Sequence, residues 1–174
     1  ELALKLDYNP VKINCVSMRG INDDEILDFV EFTKEKSVNV RFIEYMPFDD
    51  NKWENKKMIS YFELMDMIKN KHPDIYRMND HYTETAKNFK IPNYKGSVSF
   101  ITSMTNNFCS GCNRIRLMTD GNLKVCLFGN NEVSLKDMLR SNKSDNEILD
   151  VISLAIKRKK PKHAGMYEIS KMSN

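Results

Sequence analysis

The 174-residue sequence contains only four cysteines, six glycines, five prolines and one tryptophan. No apolar run approaches the ~18 residues that a transmembrane helix needs, so no segment is predicted to cross a membrane. The chain also lacks a glycine-rich phosphate-binding loop and any internal repeat. Its hydrophobic fraction of 41% and charged fraction of 29% are those of an ordinary globular chain.

The formal net charge is +3, and much of the excess lies in one stretch between Lys157 and His163. Such a basic run is typical of nucleic-acid binding or of a nuclear import signal. A solvated helix end would carry the same residues, because cations there complement the helix dipole. The charge pattern alone leaves both interpretations open.

Two strands, Lys12–Met18 and Val38–Tyr45, flank a predicted helix. The helix is expected from Asp23 to about Lys36, with Asn22 as its N-cap. Strand, helix and strand with short connections predict a βαβ unit and therefore parallel strands.

Apolar and polar residues alternate in both strands, although parallel strands covered on both faces are usually apolar throughout. The polar positions are Lys12, Asn14, Asn39 and Arg41. A parallel sheet with one polar face favours a barrel whose interior holds a charged ligand, and Lys12 and Arg41 would then face one interior cavity. An edge strand with a solvated face gives the same pattern. Cys15 lies on the apolar side and is predicted to be a core residue.

After Tyr45 the alternation of strands and helices stops. Ser60 and Glu63 form a capping box that predicts a helix to about Lys71. His72 and His81 follow in loop-like sequence and are expected at the surface. Further on, the sequence predicts short strands and helices at Ser97–Thr102, Ile115–Thr119, Leu123–Leu127, Ser134–Arg140 and, after a second capping box at Ser144, to about Lys159.

Three cysteines are spaced as Cys109-x2-Cys112-x13-Cys126. A Cys-x2-Cys turn directs two thiolates to one metal, and a hairpin with its turn at Asp120-Gly121 can return the third. A disulfide would leave one of the three unpaired. Structural zinc needs four protein ligands, whereas three thiolates can hold a 4Fe-4S cluster with one iron open. Iron-sulfur, zinc and chance cysteines all remain open from spacing alone.

Arg114 and Arg116 follow the second cysteine of this motif. Residues two apart in an extended segment point to the same side. Two guanidinium groups beside a metal site would form a receptor for phosphate or another polyanion, whereas an exposed arginine pair on a strand is the plainer alternative.

At this point the residues resemble a known family. The segments FCSGCNRIR (108–116) and DGNLKVCL (120–127) are similar to the GTP 3′,8-cyclases, also called molybdenum cofactor biosynthesis protein A. Further segments match in family order: VKIN (11–14), GIND (20–23), RFIEYMP (41–47) and HAGM (163–166).

The resemblance implies an α/β fold, with the last βα units of an incomplete TIM-like radical S-adenosylmethionine (SAM) barrel in residues 1–58. Residues 59–174 would form a C-terminal α+β domain that carries a 4Fe-4S cluster. The chain starts at Glu1 and lacks the Cys-x3-Cys-x2-Cys motif of a second, SAM-cleaving 4Fe-4S cluster. We therefore expect a fragment that is inactive alone. The family's frequent Gly-Gly tail is also absent.

The implied reaction is the SAM-dependent radical cyclisation of GTP to (8S)-3′,8-cyclo-7,8-dihydroguanosine 5′-triphosphate. By resemblance, Cys109, Cys112 and Cys126 ligate the second cluster, and its open iron takes the guanine of GTP. The remaining assignments by resemblance are Lys12, Arg114 and Arg116 for GTP, Met46 for SAM, and Arg41 for SAM or GTP. His163 is expected to pack with the chain end.

The resemblance also implies that a downstream cyclic pyranopterin monophosphate synthase takes the product, and it is compatible with a homodimer. It does not imply nucleic-acid or membrane partners. Residues 122–129 and the HAGM segment look most like eukaryotic members, which predicts the mitochondrial matrix, with bacterial cytoplasm as the alternative. The rival hypothesis is a zinc-stabilised nucleic-acid-binding module built on the three cysteines and residues 157–162.

Overall fold

The computed structural model describes residues 1–47, 51–106, 108–126 and 132–159. The chain divides into two compact units, Glu1–Phe108 and Cys109–Asn174. The predicted domain change between residues 58 and 59 falls inside the first unit. That boundary was predicted for the radical SAM barrel of a full-length family member, and it stays a prediction. His163, the HAGM segment and the end of the basic run lie outside the described residues.

The described residues of the first unit contain three α-helices and five β-strands. In chain order these are α1 (Leu2–Lys5), β1 (Val11–Ser17), α2 (Ile26–Glu35), β2 (Val38–Glu44), α3 (Tyr61–Lys71), β3 (Tyr76–Arg77), β4 (Lys87–Lys90) and β5 (Ser97–Ile101).

The strands of this unit form a mixed sheet in the order β1-β2-β5-β4-β3. β1, β2 and β5 are parallel neighbours, and β4 and β3 extend the sheet in antiparallel pairing. The predicted βαβ unit is therefore confirmed, as is the α/β class. Within the described residues β1 is an edge strand, as the alternative interpretation of its polar face supposed.

One face of the sheet carries the hydrophobic core. The side chains of Val40, Phe42, Val98 and Phe100 are at most 1% exposed there. Helices α2 and α3 contribute residues buried as deeply, among them Ile26, Val30, Leu64 and Ile68. Cys15 is buried in the same cluster, as predicted. Burial of this apolar face is what fixes the register of the three parallel strands.

The opposite face of the sheet is polar. Lys12 pairs with Asn39, and Asn14 pairs with Arg41, in the parallel register of β1 and β2. Paired residues point to the same side of a sheet, so Lys12 and Arg41 share a face. That part of the prediction is confirmed, and the interior cavity stays a prediction.

Asn22 does not cap α2, which corrects the prediction. A 3₁₀ turn, Asp23–Glu25, precedes the helix, and the Asn22 side chain makes no cap hydrogen bond. Its Oδ1 accepts from the backbone N–H of Met18 at 2.8 Å and its Nδ2 donates to the carbonyl of Val16 at 3.0 Å. The amide thus binds the end of β1, because a short polar side chain can satisfy nearby backbone groups instead of a helix start.

His72 is also placed differently from the prediction. It follows the last residue of α3, and its side chain is only 11% exposed. Its ring packs edge-on against Tyr94 with centroids 5.5 Å apart, and Nε2 lies 3.2 Å from Glu31. Long-range packing covers a position that the local sequence marks as a loop. His81 is exposed, as predicted.

The described residues of the second unit contain a small antiparallel sheet and two helices. The elements are β6 (Arg116–Leu117), β7 (Asn122–Lys124), β8 (Glu132–Ser134), α4 (Leu135–Arg140) and α5 (Asp145–Lys157). The strand order is β6-β7-β8. The predicted hairpin is confirmed, with Gly121 at φ +83° in its turn, where a side chain would be strained. β8 was not predicted.

Candidate functional site

Cys109 and Cys112 lie on one tight turn at the start of the second unit. A 3₁₀ turn spans Cys109–Gly111, and the backbone N–H of Cys112 donates to the carbonyl of Cys109 at 3.1 Å. All four cysteines of the chain lie in the described residues, and none forms a disulfide. Cys109, Cys112 and Cys126 are each half-buried.

The thiol of Cys112 is surrounded by hydrogen-bond donors. The ammonium of Lys159 donates to its Sγ at 3.3 Å and to the carbonyl of Arg114 at 2.8 Å. Burial on its own would raise the pKa of Cys112. The backbone N–H of Arg114, the Lys159 ammonium and the Arg114 side chain together outweigh burial and lower that pKa below its usual range. The thiolate, which is the metal-binding form, is therefore easier to form here than at an ordinary cysteine.

Cys126 follows β7 at the end of a described range. Within the four described ranges, no group of three or more His, Cys, Asp or Glu side chains is arranged to hold a metal ion. The hairpin predicted to return the chain towards the first two cysteines is present. Convergence of the three sulfurs on one site stays a prediction.

Arg114 and Arg116 are partly buried, while Asn113, Ile115 and Leu117 between and beside them are exposed. This alternation agrees with two guanidinium groups on one side of an extended segment. Nη1 of Arg114 is buried and has no hydrogen-bond partner among the described residues. A buried guanidinium N–H without a partner is costly unless an acceptor binds it, and phosphate oxygens and cluster sulfur are such acceptors.

On the polar face of the first unit, side-chain hydrogen bonds connect three strands. Asn39 on β2 donates from Nδ2 to the hydroxyls of Ser97 and Ser99 at 2.8 and 2.6 Å. Ser99 in turn donates to Asn88 on β4 at 2.6 Å. Beside this network, Nε of Arg41 is buried without a hydrogen-bond partner in the described part of the chain. Arg41 therefore has capacity to bind an anion on a face that also carries the exposed Lys12.

Met46 lies just beyond the carboxyl end of β2 and is partly buried. Asn51 donates from Nδ2 to the Met46 carbonyl at 3.0 Å. The carboxyl ends of parallel strands are where α/β proteins usually bind ligands. Met46 is therefore in a position that suits a cofactor contact.

Sequence reasoning missed two charged residues that organise these regions, Glu44 and Lys159. Glu44 occurs inside the RFIEYMP segment, but its strand position gave no sign of a buried carboxylate. Lys159 was included only in the basic run at the end of α5.

No helix within the described ranges is long and apolar enough to cross a membrane.

Comparison with known proteins identifies the family. The family described as Molybdenum Cofactor Synthesis C matches residues 38–165 of this chain. The chain belongs to this family. The matched range includes Arg41, Met46 and the whole segment from Cys109 to Cys126, and it begins after Lys12.

Three curated relatives match nearly the whole length of this chain. It is 60% identical over 100% of its length to a mitochondrial GTP 3′,8-cyclase of Arabidopsis thaliana, covering 45% of that protein. It is 55% identical to human molybdenum cofactor biosynthesis protein 1 over 99% of the chain and 27% of that protein. A GTP 3′,8-cyclase of Syntrophomonas wolfei is 41% identical over 92% of the chain and 50% of its own length.

These identities confirm the resemblance, including its eukaryotic character, since the plant and human relatives are more similar than this bacterial one. The chain spans half or less of the length of these three curated relatives. What the relatives do as whole proteins is therefore a basis for a proposal about this chain.

Proposed function

We propose that this chain is the part of a GTP 3′,8-cyclase that holds the substrate-side 4Fe-4S cluster and contributes to GTP binding. The reaction would be the SAM-dependent radical cyclisation of GTP to (8S)-3′,8-cyclo-7,8-dihydroguanosine 5′-triphosphate in molybdenum cofactor synthesis. Relatives named GTP 3′,8-cyclase in both a plant and a bacterium support the assignment. Residues 1–174 contain no Cys-x3-Cys-x2-Cys motif, so we expect them to hold one cluster and not to cleave SAM by themselves.

Cys109, Cys112 and Cys126 would hold the cluster. Their donor chemistry fits it, because iron-sulfur clusters are bound by thiolates and the surroundings of Cys112 favour its thiolate form. The observation that carries the proposal is this thiol on a Cys-x2-Cys turn, with Lys159 donating to its sulfur. When bound, a cluster with three protein ligands supplies an iron whose free position can take the guanine of GTP.

Lys12, Arg114 and Arg116 are proposed to bind GTP. Their side chains end in an ammonium and two guanidinium groups, and guanidinium groups form paired hydrogen bonds to phosphate. The buried Nη1 of Arg114 has no partner among the described residues, which supports a role in ligand binding. Met46 is proposed to contact SAM, and Arg41 to contact SAM or GTP through its unsatisfied Nε.

The proposed cellular setting follows from the relatives. The Arabidopsis relative is named as mitochondrial, so we propose the mitochondrial matrix for a eukaryotic source of this chain. The product would pass to a cyclic pyranopterin monophosphate synthase. A homodimer is compatible with the proposal, and no nucleic-acid or membrane partner is proposed.

The zinc and nucleic-acid alternative depends on a free basic run. Of that run, residues 157–159 are described, and Lys159 is directed to Cys112 and Arg114 rather than left for a phosphate backbone. Colour distinguishes the two hypotheses, since an iron-sulfur protein is brown and a zinc protein is colourless.

The arginine assignment is tested by measuring GTP affinity in the full-length enzyme. Charge-assisted hydrogen bonds contribute ~1.5 to 3 kcal/mol each, so Arg114→Ala and Arg116→Ala are each expected to weaken binding roughly ten- to hundredfold. The cluster absorbance should stay unchanged, because thiolates and not guanidinium groups hold the iron.

The matched control for these variants is Arg140→Ala. Arg140 is an exposed arginine in the last turn of α4, and its replacement should leave GTP affinity at the wild-type value. Wild-type affinity in both Arg114→Ala and Arg116→Ala would remove the two arginines from the GTP site.

A further inference from the structure

Lys159 differs from the other basic residues at the end of α5. Lys157 and Arg158 are exposed, whereas Lys159 is partly buried. Its backbone N–H donates to the carbonyl of Ile156 at 3.0 Å, and that of Arg158 donates to Leu154 at 3.1 Å. These bonds continue the helix by one tight turn past its last residue. The backbone from which the Lys159 side chain extends is thereby held at the end of the helix.

The ammonium of Lys159 joins two atoms of the Cys112–Arg114 segment. It donates to Sγ of Cys112 at 3.3 Å and to the backbone carbonyl of Arg114 at 2.8 Å. A lysine near a helix end usually stays in water and complements the helix dipole, as the exposed Lys157 does here. No ion pair between Lys159 and a carboxylate occurs within the described ranges. Among the described residues, the Cys112 sulfur and the Arg114 carbonyl are the acceptors of its N–H groups.

We infer that Lys159 is a positioning residue for the cluster of the proposed function, on which this inference rests: its N–H bond to the Cys112 sulfur tunes the bound cluster. A second effect follows from the bond to Arg114. The same ammonium also binds the backbone carbonyl of Arg114, the arginine assigned to GTP. One side chain therefore contacts both the proposed cluster ligand Cys112 and the proposed substrate ligand Arg114.

The direction of the tuning follows from electrostatics. Reduction adds negative charge to a cluster, and a cation with an N–H donor at a ligand sulfur stabilises that charge. Loss of Lys159 should therefore shift the reduction potential to more negative values. One hydrogen bond is expected to change the one-electron reduction equilibrium about tenfold, which corresponds to about 59 mV.

The test uses the full-length enzyme, reconstituted anaerobically with iron and sulfide. The relevant cluster is identified as the electron paramagnetic resonance (EPR) signal that disappears in Cys126→Ala. Lys159→Met keeps the length of the side chain and removes the charge and donors. Lys159→Arg keeps both, and Lys157→Met is the control at the exposed end of the same helix. Each variant is titrated with a reductant while this signal is followed.

We expect the potential to fall in Lys159→Met, to return most of the way in Lys159→Arg, and to stay at the wild-type value in Lys157→Met. Loss of the cluster from Lys159→Met alone, with iron retained in the other two, equally supports a positioning role. An unchanged potential in Lys159→Met overturns the inference, as does an equal change in Lys157→Met. If wild-type protein forms no such cluster, the proposed function itself fails, which is a distinguishable result.

Discussion

At the scale of single residues, the carboxylate of Glu44 connects three segments of the first unit. It lies at the end of β2 and is only 2% exposed. Its oxygens accept from the backbone N–H groups of Tyr61 at 2.8 Å, Met104 at 2.7 Å and Thr105 at 2.9 Å. The Thr105 hydroxyl donates a further bond at 2.5 Å. A buried carboxylate with this many donors positions the loops at the carboxyl end of the parallel strands.

Glu44→Gln is expected to lower the free energy of unfolding by ~1 to 3 kcal/mol, because the new amide group faces N–H donors and leaves them unsatisfied. Denaturant titration of the chain measures the change. Glu84→Gln, at an exposed glutamate of the same unit, should stay within about 0.5 kcal/mol of wild type. Equal effects of the two substitutions would contradict the structural role of Glu44.

The sequence pattern singled out some candidate residues and missed others. The three cysteines and two arginines stood out as candidates because their spacing in sequence is itself the signal, and their roles stay predictions. Lys159 and His72 were not, because each contacts a residue far away in sequence, Cys112 and Glu31 respectively. Such contacts depend on the packing of helices, which the local pattern does not contain.

At the scale of elements, α3 shows how a helix start and a strand end are connected. Ser60 Oγ accepts from the Glu63 backbone N–H at 3.2 Å, and the Glu63 carboxylate accepts from the Ser60 backbone N–H at 3.0 Å. Arg19, just after β1, also donates to this carboxylate. The Ser60 backbone N–H contributes most to lowering the pKa of Glu63. Burial opposes this effect, and the Arg19 and Ser60 side chains lower the pKa further.

This shift predicts how α3 responds to acid. Because the folded-state pKa of Glu63 is lowered, its contribution to stability is present above the unfolded-state value of about 4.3 and is lost as pH falls through the folded value. Glu63→Gln keeps the capping geometry but does not titrate. The difference in melting temperature between wild type and Glu63→Gln should therefore be largest near neutral pH and shrink below about pH 4. A difference that is constant with pH would contradict this account.

The elements that the sequence predicted well are those encoded locally. The capping boxes at Ser60 and Ser144 mark the starts of α3 and α5. The βαβ unit follows from alternation over seven residues in each strand. β3, with two residues, and β8, with three, are too short to show a period, and pairing to neighbours defines them. The Asn22 prediction was wrong because its side chain had a competing backbone partner in β1.

At the scale of the whole molecule, each unit offers a distinct set of ligand groups. The first unit carries Lys12 and Arg41 on a polar sheet face whose parallel strands belong to an α/β fold. The second carries the Cys-x2-Cys turn, the arginines that follow it and Lys159. The family match spans residues 38–165 and so includes parts of both units. Fold class and family could be predicted from the sequence, whereas convergence of the three cysteines on one site stays a prediction.

The most direct test of the central proposal is the iron and acid-labile sulfide content of full-length protein after anaerobic reconstitution, combined with EPR spectroscopy. Cys109→Ala, Cys112→Ala and Cys126→Ala should each lose one and the same 4Fe-4S cluster. Cys15→Ala, which removes the buried core cysteine, should keep it. Retention of the cluster in Cys126→Ala, its loss in Cys15→Ala, or zinc in place of iron would contradict a three-cysteine cluster site.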